Sequence, residues 1–95
     1  MPKGYVVARI SVVDPEGYKA YVAAASEAIK KYGGKPLVRG GRSEILEGEA
    51  RARNVIIEFE SFDQAKAYYY SDEYQAAIKH RLSRGIADIV VVEGV

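Results

Sequence analysis

The sequence predicts an α+β domain of the ferredoxin-like, βαββαβ kind: a four-stranded antiparallel sheet with helices packed on one face. Three observations carry this. A strand pattern leading into a capped helix occurs twice, at Gly4–Ile10 with Asp14-Pro15-Glu16 and at Asn54–Phe59 with Ser61-Phe62-Asp63-Gln64. Each helix is followed by another strand pattern, so the order is βαβ-βαβ. At 95 residues, with no Pro/Gly/Ser-rich linker, the chain is read as one domain over 1–95.

Strand one, about 4–13, alternates Val6, Ala8, Ile10 and Val12 with Tyr5, Val7, Arg9 and Ser11. Asp14 is a good N-cap, Pro15 fits the first helical position, and Glu16 favours the positive helix end. Helix one carries Tyr18, Tyr21, Val22, Ala25, Ile29 and Tyr32 at three- and four-residue spacing, and Gly33 supplies its left-handed stop. Strand two begins near Lys35, bends at Gly40-Gly41, continues through Ser43 to Leu46, and turns over Glu47-Gly48-Glu49. Strand three, about 52–60, sets Val55, Ile57 and Phe59 against Asn54, Ile56 and Glu58.

Ser61 and Gln64 form a capping box for helix two, whose stripe is Phe62, Ala65 and Tyr69. After Tyr70 the phase slips, and the next apolar set is Tyr74, Ala77, Ile78 and Leu82. Ser71 and Asp72 are both natural caps, so the pattern predicts two helical segments rather than one. Strand four, about 86–93, closes the chain. Both sheet faces are partly apolar. The face away from the helices holds Tyr5, Val7, Leu37, Ile56, Val90 and Val92, which is too much apolar surface for water alone. A homodimer meeting through that face is expected.

Composition excludes several classes. The formal net charge is +1, which argues against nucleic-acid and membrane-surface partners. With no cysteine, disulfides, thiolate metal sites and cysteine nucleophiles drop out. No stretch reaches transmembrane length and the amino terminus lacks signal-peptide character, so a cytoplasmic location is expected. No spacing signals a metal site, and no cofactor is expected.

The ordered pieces Gly-Tyr-x-x-Ala-Arg, Asp-Pro-Glu-x-Tyr, Lys-Tyr-Gly-Gly, Arg-Gly-Gly-Arg, Glu-Phe-x-Ser-Phe, Tyr-x-Ser-x-Glu-Tyr and Val-Glu-Gly span Gly4 to Gly94. Together they resemble the bacterial domain of unknown function 1330 family. The resemblance implies a subunit of the dimeric α/β-barrel superfamily, whose members pair sheet to sheet. That superfamily includes cofactor-free monooxygenases, chlorite-dismutase-like haem proteins and small isomerase-like or degradative enzymes. No catalytic residue follows from it. The chain departs from the family pattern at Ala50, where members often have Trp, and at Glu60, where they often have Pro.

His80 is the only histidine and hence the candidate for acid–base work, although its helical phase points it sideways or outward. Arg9, Arg39, Glu58 and Asp88 are assigned to the face away from the helices, as an ion-pair network or, for Arg39, as a carboxylate clamp. Eight tyrosines and no tryptophan are unusual; Tyr18, Tyr21, Tyr32, Tyr69 and Tyr74 fit either core or a small-molecule pocket. Ser11, Ser43, Ser71 and Ser83 have no base at a telling spacing. The bend at Gly40-Gly41 and the break at Ser71-Asp72 both open space. If they adjoin, Arg39, Arg42, Tyr69, Ser71 and Tyr74 line one ligand cavity. Two functions fit: a cofactor-free enzyme acting on a small aromatic or acidic metabolite, or a non-catalytic dimeric small-molecule-binding or accessory protein.

Overall fold

The computed structural model describes residues 2–95. In chain order it contains β1 (Gly4–Val12), α1 (Pro15–Lys31), β2 (Lys35–Arg39), β3 (Arg53–Phe59), α2 (Phe62–Tyr70), α3 (Asp72–Arg81) and β4 (Gly85–Glu93). The strands form one antiparallel sheet in the order β2-β3-β1-β4. This is the ferredoxin-like arrangement. The sheet is open, with β2 and β4 at its edges.

Alternation along β1 does what its sequence demands. Val6, Ala8 and Ile10 are buried under the helices, whereas Arg9 is exposed on the other face. Ile57 and Phe59 of β3 join them, beneath Tyr18, Tyr21, Ala25 and Ala28 of α1 and Ala65, Tyr68, Tyr74 and Ala77 of α2 and α3. Three of the alanines, Ala28, Ala65 and Ala77, are fully buried; small side chains there let the helices approach closely. Aromatic rings then fill the core as a chain, Phe59 lying 5.0 Å from Tyr68 and Tyr68 4.8 Å from Tyr74 between centroids.

Local chemistry sets the helix ends. Asp14 caps α1 by accepting from the Gly17 amide at 3.2 Å. At the other end Gly33 turns left-handed (φ 75°), and the Gly34 amide reaches the Ile29 carbonyl at 2.8 Å. Ser61 caps α2 through the Gln64 amide, but the expected reciprocal bond is not made: the Gln64 side chain donates instead to the Tyr32 carbonyl at 2.9 Å, tying α2 to the end of α1. At the phase slip the cap of α3 is Ser71, not Asp72. Its hydroxyl donates to the Tyr68 carbonyl (2.7 Å) and accepts from the Tyr74 amide (3.1 Å).

Two expectations are corrected. Strand two does not continue to Leu46: β2 stops at Arg39, and residues 40–52 have no regular secondary structure. Gly40 takes φ 67° and turns the backbone off the sheet after one last bond to Asn54, and residues 41–50 are all exposed, with no face to bury. Arg39 does not lie on the far face either. An irregularity between Pro36 and Val38 shifts the register so that Arg39 pairs with Val55, on the helix side.

The face opposite the helices carries an apolar row across all four strands, because the register sets Val38 beside Ile56, Ile56 beside Val7 and Val7 beside Val90. Val90 is 51% exposed and Val38 38%. No helix among the described residues is long and apolar enough to cross a membrane.

Candidate functional site

Between the helices and the sheet lies a cavity of about 50 Å³. Its floor is Ala8, Ile10, Val55 and Ile57 of the sheet, and its roof is Tyr18, Tyr21, Val22 and Ala25 of α1. Tyr68 and Tyr74 border it from α2 and α3, and Arg39 and Arg53 from β2 and β3.

Arg53 pairs with buried Ile10 and so faces the helices. Its guanidinium carbon lies 5.8 Å from the Tyr18 ring centre. It also lies over Gly40: a Cβ there would come within 2.3 Å of Arg53 Nη1, so glycine at position 40 makes room for the guanidinium. Arg81 is nearby on α3, only 8% exposed, its guanidinium carbon 5.4 Å from the Tyr21 ring centre. Among the described residues, the buried Nε of Arg53 and the buried Nε of Arg81 have no hydrogen-bond partner, and none of Arg39, Arg53 and Arg81 is in an ion pair.

The phenols are held neutral. Tyr21 and Tyr74 share a hydrogen bond of 2.7 Å. Burial pushes the Tyr21 hydroxyl up from its ordinary value, and Tyr74 adds to the effect. Burial raises Tyr74 as well, opposed by the hydrogen bond from Tyr21 and by the Arg81 charge. Tyr68 is raised by burial, then by Tyr74; Tyr18 is raised by burial against the pull of Arg53. All four remain donors at neutral pH. One bond joins the two hydroxyls of the Tyr21–Tyr74 pair, so one O–H of that pair stays free to donate.

The expected site residues divide. Arg39 and Tyr74 border the same cavity. Ser71 is buried and acts as the cap that turns the chain so that Tyr68 and Tyr74 both reach it. Tyr69 lies in a separate surface groove with Phe62, Lys66, Tyr70 and β4. Arg42 lies in the exposed 41–50 segment, and His80 is exposed on the last turn of α3. On the far face, Asp88 pairs with Arg51 at 2.7 Å, Arg51 also reaches Ser11 at 3.1 Å, and Glu58 accepts from Tyr5 at 3.0 Å.

Sequence reasoning misses Arg53, Arg81 and Tyr68. For the arginines the signal was present. Arg53 has the same strand phase as Val55, Ile57 and Phe59, and Arg81 the same helix phase as Tyr74 and Ala77. An arginine in a core phase marks a charge the fold has chosen to bury. Among the described residues no group of acidic or histidine side chains is arranged to hold a metal ion.

Residues 3–95 match the family described as Domain of unknown function (DUF1330). No curated protein matches the chain at a significant level. Among solved structures, the RPA0582 protein of unknown function from Rhodopseudomonas palustris is similar with a TM-score of 0.77 at 17% identity, over 99% of this chain and 83% of that one. A dimeric ferredoxin-like protein of unknown function from Thermobifida fusca YX gives 0.59 at 14% identity, over 96% and 92%. SnoaB, a cofactor-independent oxygenase from Streptomyces nogalater, gives 0.61 at 8% identity, over 97% and 92%. At these identities the likeness is one of fold.

Proposed function

We propose that this chain, which belongs to the DUF1330 family, works as a homodimer and handles a small acidic metabolite in the cleft between α1, α3 and the sheet, as a cofactor-free enzyme. One observation carries the reading: the core holds a cavity bordered by tyrosines and by two arginines, where a domain of this size would ordinarily close its packing with apolar side chains. The fold shared with a cofactor-independent oxygenase supports it by analogy.

The dimer reading rests on the row Val38, Ile56, Val7 and Val90, which a second copy of the same face would cover. Similar structures described as dimeric support it. The charged groups beside that row, Arg9, Asp88 and Glu58, would fix the register of the pair.

A second reading has its own observation. No imidazole or carboxylate is among the residues that border the cleft, which favours a small-molecule-binding protein without chemistry. A thermal-shift screen of acidic, neutral and basic metabolites separates the two, because a ligand at 100 times its Kd adds about 2.7 kcal/mol of stability. Hits that are consumed on incubation, followed by mass spectrometry, support the enzyme; hits recovered unchanged support the binder. If no compound raises the melting temperature, both readings are wrong.

A further inference from the structure

The charged groups around the cavity are all of one sign. Arg39 and Arg53 border it, and a guanidinium is charged at any pH the fold survives. Tyr18, the free hydroxyl of the Tyr21–Tyr74 pair and Tyr68 offer protons. Arg81, nine-tenths buried behind Tyr21, adds positive potential to the same end of the cleft. Against these donors the lining offers no carboxylate. A buried donor without an acceptor is destabilising, and here both Arg53 and Arg81 keep a buried Nε of that kind. A fold tolerates such an excess where a ligand supplies the missing acceptors and the missing charge.

Size narrows the ligand. A dry cavity that admits benzene is about 150 Å³, three times the space available here, about 50 Å³. An aromatic ring does not fit without moving the tyrosines, whereas a carboxylate on two or three carbons seats its head group there and leaves the end of its chain toward the open side of the cleft beside Arg39. Chemistry narrows it again. With no base in the lining, the ligand must arrive already ionised, as a carboxylic acid does at neutral pH.

We propose that the cleft is an anion seat for a short-chain carboxylate, with its oxygens held by Arg53 and the free hydroxyl of the Tyr21–Tyr74 pair and its chain lying on Ala8, Ile10 and Val55. Arg39, at the exposed end of β2, guards the mouth. Arg81 is a positioning residue: it packs on the Tyr21 ring and holds the hydroxyl pair in place. This inference rests on the small-molecule reading above and names the class of ligand that reading left open.

The test is titration of the whole chain, followed by amide and side-chain NMR, with propionate and acrylate, with propionamide as the neutral isostere, and with benzoate as the oversized anion. Chloride is kept low because it competes for the same charge. Propionate and acrylate are expected to shift Arg53 and Tyr18 resonances and to saturate at millimolar concentration. Propionamide is expected not to bind, and benzoate to bind more weakly. Arg53→Met should weaken propionate at least tenfold, Arg53→Lys should restore part of the loss, and Lys79→Met, the same charge change on an exposed face of α3, should alter nothing. If Arg53→Met proves unfolded, the comparison of Arg53→Lys with Lys79→Met and of propionate with its amide still decides. Equal binding of propionate and propionamide, or propionate binding that is indifferent to Arg53, overturns the anion seat. The small-molecule reading fails separately, when no compound of any charge touches the cleft.

Discussion

Removing the Tyr21 hydroxyl should destabilise the protein more than removing both hydroxyls of its pair would lead one to expect. In the folded chain Tyr21 and Tyr74 are 8% and 2% exposed and their oxygens lie 2.7 Å apart. Tyr21→Phe deletes one partner and leaves the Tyr74 oxygen facing a ring edge. An orphaned buried hydroxyl of this kind costs about 1–1.5 kcal/mol, as does the mirror variant Tyr74→Phe. Tyr21→Phe with Tyr74→Phe removes donor and acceptor together and replaces them with apolar atoms of nearly the same shape, for a total of about 0.5–1 kcal/mol. The coupling is then about 1.5–2 kcal/mol, well above the error of such a cycle. Urea unfolding followed by circular dichroism measures it, with protomer concentration held fixed because a dimer's stability depends on it. Each single variant should lower Tm by about 4–8 °C per kcal/mol for a domain of this length. A double variant whose loss equals the sum of the singles would refute the reasoning, because it would mean that the two hydroxyls do not depend on each other.

The buried tyrosines also set an alkaline limit. Burial raises Tyr21, Tyr68 and Tyr74 above the ordinary 10.0, so as pH rises the unfolded chain loses these protons first. Their contribution is whole below about pH 10 and is lost above it, at about 1.4 kcal/mol per pH unit for each tyrosine; urea midpoints taken across that range should fall, less steeply in Tyr68→Phe, and a flat profile is the contrary result. Val7→Lys sets an ammonium in the middle of the apolar row on the bare face and should yield monomers in sedimentation, whereas the unaltered chain is expected to sediment as a dimer; a monomer before the substitution contradicts the proposed dimer. Gly40→Ala both strains a left-handed residue and pushes on Arg53, and should cost about 1–2 kcal/mol in urea unfolding together with a loss of propionate binding. Unchanged binding there would separate Arg53 from the ligand.

The caps of the first two helices and the inward residues of β1 are local matters, and the sequence alone determined them. Val6, Ala8 and Ile10 alternate with less buried neighbours, Asp14 and Ser61 reach amides three residues on, and Ser71 breaks the second helix where its apolar stripe changes phase. Such features depend on neighbours within a turn or two, so a periodic pattern carries them. The ordered motifs from Gly4 to Gly94 also identified the family.

Tertiary structure decided the rest. Arg39 reads as outward by simple alternation, and only the slipped register beside Ile56 and Ile57 turns it toward the cavity. The segment 41–46 has the look of a strand, yet among the described residues no strand pairs with it once Gly40 has turned the chain away. Arg53 and Arg81 lie 28 positions apart in the chain. They come together because β3 lays Arg53 against Tyr18 of α1 and α3 lays Arg81 against its neighbour Tyr21. Pairing across that distance is fixed by packing and register, which no local pattern contains, and so the cavity belongs to the fold rather than to any segment of it.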